Sequence, residues 1–185
     1  MAARISPAEP PFSAAVQKTL DRLMPPGVPP LALFTMLARD ERLFAKFMGG
    51  GLLDKGHLTL RQREIVIDRV TAQCGSEYEW GVHAAFFADK AGLGADERYS
   101  LVHGGATDPC WTDQRDAMLI RLCDALHQDC SISDDLWDQA AKDFTAEALL
   151  EILMLAGFYR TVSYLTNATA LPLEKFAARF PPRRG

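Results

Sequence analysis

TLRQREIVIDRVTAQCGSEYEWGVHAAFFADKAG, residues 59–92, is the stretch on which the reading of this chain turns. Thr59-Leu60-Arg61-Gln62 has the form of a capping box, with a hydroxyl at the cap and an amide three residues on. It opens a helix that runs to about Gln73. Leu60, Val66, Ile67, Val70 and Cys74 make its broad apolar face, with Glu64 at the edge beside Thr71. Gly75 breaks the run and a second helix begins near Ser76 or Glu77. Along it Glu79, His83, Phe86 and Lys90 share a face, at steps of four, three and four, until Gly92 and Gly94 stop it.

Outward from this pair, residues 31–48 carry a helical apolar set ended by Gly49-Gly50-Gly51, where glycine takes left-handed angles without strain. Downstream, helices are expected over Ala95–His103, over 111–128, from the Ser133 cap to Phe144, and from the Thr145 cap to about Ala170, with Pro172 as the stop. No stretch alternates with period two and no Asn-Gly or Asp-Gly hairpin signal occurs. The expected fold is all-α, seven or eight helices in a single domain over 31–173, with a tail over 174–185. Residues 1–30 hold Pro7, Pro10, Pro11, Pro25, Pro26, Pro29 and Pro30 around a short helix between Phe12 and Met24. They read as a strap over the core or over a partner.

The chain has 185 residues, 48% apolar and 24% charged, with a net charge of -4. That suits a globular domain with a real core and argues against a nucleic-acid binder, since Arg183-Arg184 is the densest basic cluster. No uninterrupted apolar run reaches the roughly 18 residues of a membrane span, and no basic, apolar leader opens the chain. Cys74, Cys110, Cys123 and Cys130 are then expected as free thiols in the cytoplasm.

Several groups in the opening stretch can carry chemistry. A helical glutamate four residues before a histidine can accept a hydrogen bond from one ring nitrogen and so set the other, which makes Glu79–His83 a candidate acid/base pair. Trp80, Phe86 and Phe87 supply apolar company; the alternative is a surface ion pair. Glu64, near Leu60 and Ile67, either loses solvent and becomes a proton donor or keeps its head in water beside Arg61 or Arg63. Cys74, at a helix end, is either a reactive thiol or an inert buried one. Tyr159, Ser163 and Asn167 form a polar line on an otherwise apolar helix, facing a cavity or a partner, or bonding locally to backbone. No C-x-x-C, H-x-x-x-H or H-E-x-x-H spacing points to a metal, and no phosphate loop or serine elbow occurs.

LTLRQREIVIDRV, SEYEWGVHAAFFADKAGL and GFYRTVSYLTNA together resemble the carboxymuconolactone decarboxylase family, whose superfamily includes alkylhydroperoxidase D. The resemblance covers most of residues 31–171 and implies an all-helical homo-oligomer, a dimer, trimer or hexamer, acting on a small molecule without cofactor, membrane or nucleic acid. Alkylhydroperoxidase D pairs an early Glu with a later C-x-x-C-x-x-x-H. Glu64 and His83 match its outer members, while Ser76 and Glu79 stand at its two cysteine positions. Without both sulfurs a thiolate cannot attack peroxide and be resolved by its neighbour. The decarboxylase half of the superfamily is therefore the expectation: a cofactor-free lyase acting on a small carboxylated lactone in aromatic degradation. On that resemblance His83 is the acid, Glu79 orients it and Glu64 relays. Tyr159 or Arg160 holds a carboxylate or carbonyl, and Trp80 and Cys74 are further substrate contacts. The alternatives are a peroxidase using Cys74, or a binding or assembly protein of the same fold.

Overall fold

A computed structural model describes residues 3–25 and 27–185. Pro26, one of the expected strap prolines, lies outside the described residues, as do Met1 and Ala2. Among the described residues the chain is entirely helical, with nine helices. These are α1 (Ala14–Leu23), α2 (Ala32–Leu37), α3 (Glu41–Gly49), α4 (Leu60–Gln73), α5 (Glu77–Phe87), α6 (Ala95–His103), α7 (Gln114–Asp129), α8 (Asp134–Asp143) and α9 (Ala146–Ala168).

Local chemistry starts most of them. The side chains of Ser13, Asp40, Thr59, Asp113, Ser133 and Thr145 each accept a hydrogen bond from a backbone N–H of the first turn. At Thr59 the box is complete: Gln62 N donates to Thr59 Oγ1 at 3.2 Å, and Thr59 N donates to Gln62 Oε1 at 3.0 Å. Two expectations need correction. Residues 31–48 are not one helix, because Asp40 caps a new start by accepting from Leu43 N at 2.9 Å. The glycines after α3 are not left-handed either. Gly50 has φ -98, and a Cβ there would press on the Phe158 ring at 3.0 Å; the left-handed residue is Leu52, at φ 36.

α4 is the axis. It packs against α9, α7, α5 and α6, and eight consecutive residues from Glu64 to Thr71 are buried. The helix wheel had offered one apolar face with Glu64 on its edge; in the fold no face of this segment meets solvent. Charged groups there must find partners inside. Arg69 does, donating to Asp124 Oδ1 at 2.7 Å and to the carbonyls of Leu101 and Gly104 at 3.0 Å each.

α9 is 23 residues long and apolar enough to cross a membrane by length and composition. Here it serves as a core helix: Leu149, Ile152, Leu155, Ala156, Tyr159 and Val162 face inward. Both ends of the chain are laid on this core. Val16 and Leu20 of α1 pack with Phe44 of α3, while Arg4 N donates to Thr169 O at 2.7 Å and Ala8 N to Thr35 O at 3.0 Å. The carboxyl-terminal tail runs beside α5. Ala178 N donates to Gly81 O at 3.0 Å, Phe180 stacks at a tilt on Trp80 with centroids 5.2 Å apart, and His103 Nε2 lies 2.6 Å from Pro181 O.

Gly81 is required by this close approach, since a Cβ there would run into the Ala178 carbonyl oxygen. Gly81→Ala is expected to lower unfolding stability by about 1–3 kcal/mol in a urea titration, the usual cost of forcing extra volume into a packed contact.

Candidate acid–base site

Glu64 on α4 and His83 on α5 meet inside the bundle, 1% and 4% exposed. Glu64 Oε2 lies 2.7 Å from His83 Nδ1. The other carboxylate oxygen is held by Arg63, whose Nε and Nη2 each lie at 3.0 Å. Arg63 also donates from Nη1 to Leu53 O at 3.0 Å, tying the 50–58 loop to the same carboxylate. On the far side of the ring, His83 Nε2 is 3.0 Å from the Tyr159 hydroxyl, which α9 delivers, and 3.5 Å from Glu79 Oε1. The short, well-formed carboxylate contact is thus with Glu64, not Glu79. The expected roles are exchanged: Glu64 orients the ring, and Glu79 stands beside its outer nitrogen.

The electrostatics follow from this sandwich. Burial by itself favours neutral His83, but the charge and hydrogen bond of Glu64, followed by those of Glu79, outweigh it and push the imidazole up to about 10. At neutral pH the ring carries both protons: Nδ1–H donates to Glu64, and Nε2–H donates to the Tyr159 oxygen. The Tyr159 hydroxyl is itself held well above its ordinary value, by burial first and then by Glu79 and Glu64, so it stays protonated. Its oxygen is engaged by the imidazolium, which leaves its O–H to turn outward.

Tyr159 borders a cavity of about 730 Å³. Glu79, His83 and Tyr159 form one end. Phe34, Phe47, Phe86, Phe87 and Phe158 supply the aromatic part of the wall, aliphatic side chains such as Leu31, Met48 and Val162 the rest of its apolar part, and Gly51 to Asp54 also line it. Leu23 and Leu53, 40% and 47% exposed, bring the cavity to the surface. Glu79 Oε2 is buried without a partner, so one carboxylate oxygen at the polar end is available to whatever occupies the space. No arginine answers Glu79. Among the described residues no three His, Cys, Asp or Glu side chains are arranged to hold a metal ion.

Three expected contacts are not part of this site. Trp80 is buried against Phe180, because the tail covers its side of α5. Arg160 points away, with Nε donating to the Tyr164 hydroxyl at 2.9 Å; it borders a separate space of about 190 Å³ beside Cys123 and His127. Cys74 sits ten residues beyond Glu64 on the same helix, about 15 Å along the axis, and its carbonyl accepts from Asn167 at 2.8 Å. The polar line of α9 divides accordingly: Tyr159 reaches the cavity, Ser163 Oγ donates to Tyr159 O at 2.8 Å, and Asn167 holds Cys74.

One residue was overlooked. Asp68, one turn after Glu64, is fully buried with both carboxylate oxygens unpartnered. Burial first, then the Glu64 charge, raises its pKa well above 3.8, against the smaller pull of His83 and Arg98. The signal for it was the lone acid inside IVIDRV, at the i,i+4 spacing from Glu64 that brings like charges together.

Both groups predict pH dependence. The His83 pair contributes stability that is complete below about 6.5 and lost as pH rises through about 10; His83→Gln should flatten the fall in melting temperature across that range. Asp68 acts differently: its folded pKa is raised, so it costs stability as pH climbs from 3.8. Asp68→Asn should gain on wild type between pH 4 and pH 8 in chemical denaturation.

Residues 41–120 match the sequence profile of the carboxymuconolactone decarboxylase family, a span that contains Glu64, Glu79 and His83. No curated protein matches the sequence. The fold is shared with an uncharacterized peroxidase-related protein from Silicibacter sp. TM1040, at TM-score 0.78 and 16% identity over 94% of this chain and 92% of that one. It is shared too with an alkylhydroperoxidase AhpD core, an uncharacterized peroxidase-related protein from Ralstonia eutropha JMP134, at TM-score 0.74 and 16% identity over 92% and 93%. The chain is thus similar to the carboxymuconolactone decarboxylase family from α3 into α7, and it shares its all-helical fold with these two peroxidase-related proteins.

Proposed function

We propose that this protein is a cofactor-free acid/base enzyme that stabilises an enolate, with decarboxylation of a carboxylated lactone as its reaction. The observation that carries this reading is the buried relay Glu64–His83–Tyr159, whose last hydroxyl is free to donate into an apolar cavity. In such a substrate the bond to the carboxylate carbon breaks, CO2 leaves, and the electron pair passes to the lactone carbonyl. The oxygen that gains charge is met by the Tyr159 O–H, itself polarised by the imidazolium, at the apolar-walled cavity. A proton then passes from the Tyr159 hydroxyl to carbon while His83 Nε2–H replaces it, and the relay recovers one proton from solvent. Glu64 keeps the ring oriented throughout and favours its return to the charged form.

A thiol peroxidase is the second reading, favoured by the peroxidase-related description of the two proteins that share the fold. It needs a thiolate near the acid/base pair, and none of the cavity-lining residues is a cysteine. Burial drives the Cys123 thiol up to about 12, and Cys110 is raised as well, chiefly by burial.

The unpaired thiols fit a reducing compartment such as the cytoplasm. Leu150, Met154 and Tyr164, each 59–61% exposed, lie along α9 and offer a surface for the expected homo-oligomer. Sedimentation velocity should give a particle larger than one chain, and Met154→Glu should shift it toward the monomer.

With carboxymuconolactone as substrate, CO2 release should fall by about 10²–10³-fold in Tyr159→Phe and by at least about 10²-fold in His83→Ala, while Cys74→Ser leaves it unchanged. Unchanged turnover in His83→Ala would remove the relay from the mechanism. A sulfenic adduct on Cys74, found by intact mass after peroxide, would favour the second reading.

A further inference from the structure

We propose that the cavity accepts an elongated, largely apolar acid, its reactive carbonyl at Tyr159 and His83 and its carboxylate at the Lys90 end. This rests on the enolate reading of the polar end and names the class of substrate that end serves. α5 provides the ruler. His83, Phe86, Phe87 and Lys90 all line the cavity; Lys90 lies three residues past the end of α5, in the turn closed by Ala91 N donating to Phe87 O at 2.8 Å, so the helical rise from His83 onward sets it about 10 Å further along.

The two ends differ in what they can hold. Glu79 presents a buried, unpartnered carboxylate oxygen at the reactive end, so a carboxylate that the reaction does not remove meets both repulsion and the cost of desolvation there. At the other end Lys90 is exposed, makes no salt bridge among the described residues, and lies with its ammonium 5.7 Å from the centre of the Phe87 ring. Arg63 also approaches that ring, at 5.5 Å, but it is engaged by Glu64 and the Leu53 carbonyl and does not line the cavity, which leaves Lys90 as the lining cation. Asp54 and Glu79 are the acidic residues that border the cavity. The rest of the wall is largely apolar, phenylalanine and aliphatic side chains together, with Phe47 and Phe158 in contact at 5.0 Å between centroids.

Size points the same way. About 730 Å³ lies in the range of sites that enclose ligands of drug-like size. A compact, doubly charged lactone would leave much of this apolar wall wet and would set one of its carboxylates against aromatic carbon. A longer molecule that carries a distant carboxylate besides the one released satisfies the wall and both ends together.

Phenols test this without turnover, because a phenol oxygen imitates an enol oxygen at Tyr159. The probes are 4-hydroxybenzoate and 5-(4-hydroxyphenyl)pentanoate, titrated calorimetrically into wild type and Lys90→Met, with 5-(4-hydroxyphenyl)pentan-1-ol as the uncharged control. The longer acid is expected to bind wild type at least about tenfold more tightly than the short one, given roughly threefold for each methylene buried. Lys90→Met should weaken the longer acid about three- to tenfold and leave the alcohol unchanged. Equal affinity for the two acids, no binding of either, or no effect of Lys90→Met on the longer acid would overturn the proposal. The expected binding pattern without decarboxylation of any lactone would leave this assignment standing and discard the lyase reading. Turnover of a small lactone with no dependence of binding on chain length would do the reverse.

Discussion

The Glu64–His83 contact is the constraint on which this structure depends. A carboxylate in the middle of a helix buried on every side is tolerated only if its charge is answered locally, and two cations answer it. His83 comes from α5 and Arg63 from α4 itself, so one carboxylate joins the two helices and, through the Arg63 bond to Leu53, the loop that walls the cavity. Removing either cation would leave one oxygen of this buried carboxylate without its partner. Stability and site chemistry are therefore the same interaction seen twice, and the protonated imidazole is a consequence of the packing.

Around that contact the polar groups are sorted by need. Arg69 is fully engaged by Asp124 and two carbonyls, and Arg61 by Asp116, Glu97 and the Gly92 carbonyl. Both act as struts between α4 and its neighbours. Glu79 and Asp68 are the exceptions, each with carboxylate oxygen left unpartnered. Unsatisfied buried acids are costly, and here they flank the relay on two sides: Glu79 at the cavity and Asp68 one helical turn behind Glu64. Such a cluster, with carboxylates crowding one imidazolium, is where proton affinities are pushed apart, and that supports reading the region as a place of proton transfer rather than of simple packing.

The resemblance to alkylhydroperoxidase D gains meaning from the positions that differ. Ser76, at the first lost sulfur, is buried and bonded to Thr166 at 2.8 Å, where it joins α5 to α9. Glu79, at the second, lines the cavity with an oxygen to spare. At these two positions this chain has a structural serine and a cavity-lining acid. The outer Glu and His, which need no sulfur to pair, remain in contact.

The sequence by itself determined the helices, because caps, breaks and apolar spacing are local: the Thr59 box, the Gly75 break and the Ala95–His103 helix could be read directly. It also brought Glu64, Glu79 and His83 into one short list, since acids and a histidine in an apolar context are visible in one dimension. Tertiary structure decided the rest. A helix wheel cannot tell which of two glutamates meets the histidine, because a partner nineteen residues away depends on how α4 and α5 cross. It could not show that α4 is enclosed on all sides, which is why Asp68 was passed over, or that the tail takes Trp80 and Tyr164 takes Arg160. The cavity belongs to the tertiary structure too: its wall is drawn from α2, α3, the 50–58 loop, α5 and α9, and distant segments acquire a common surface only when burial of their apolar faces brings them together.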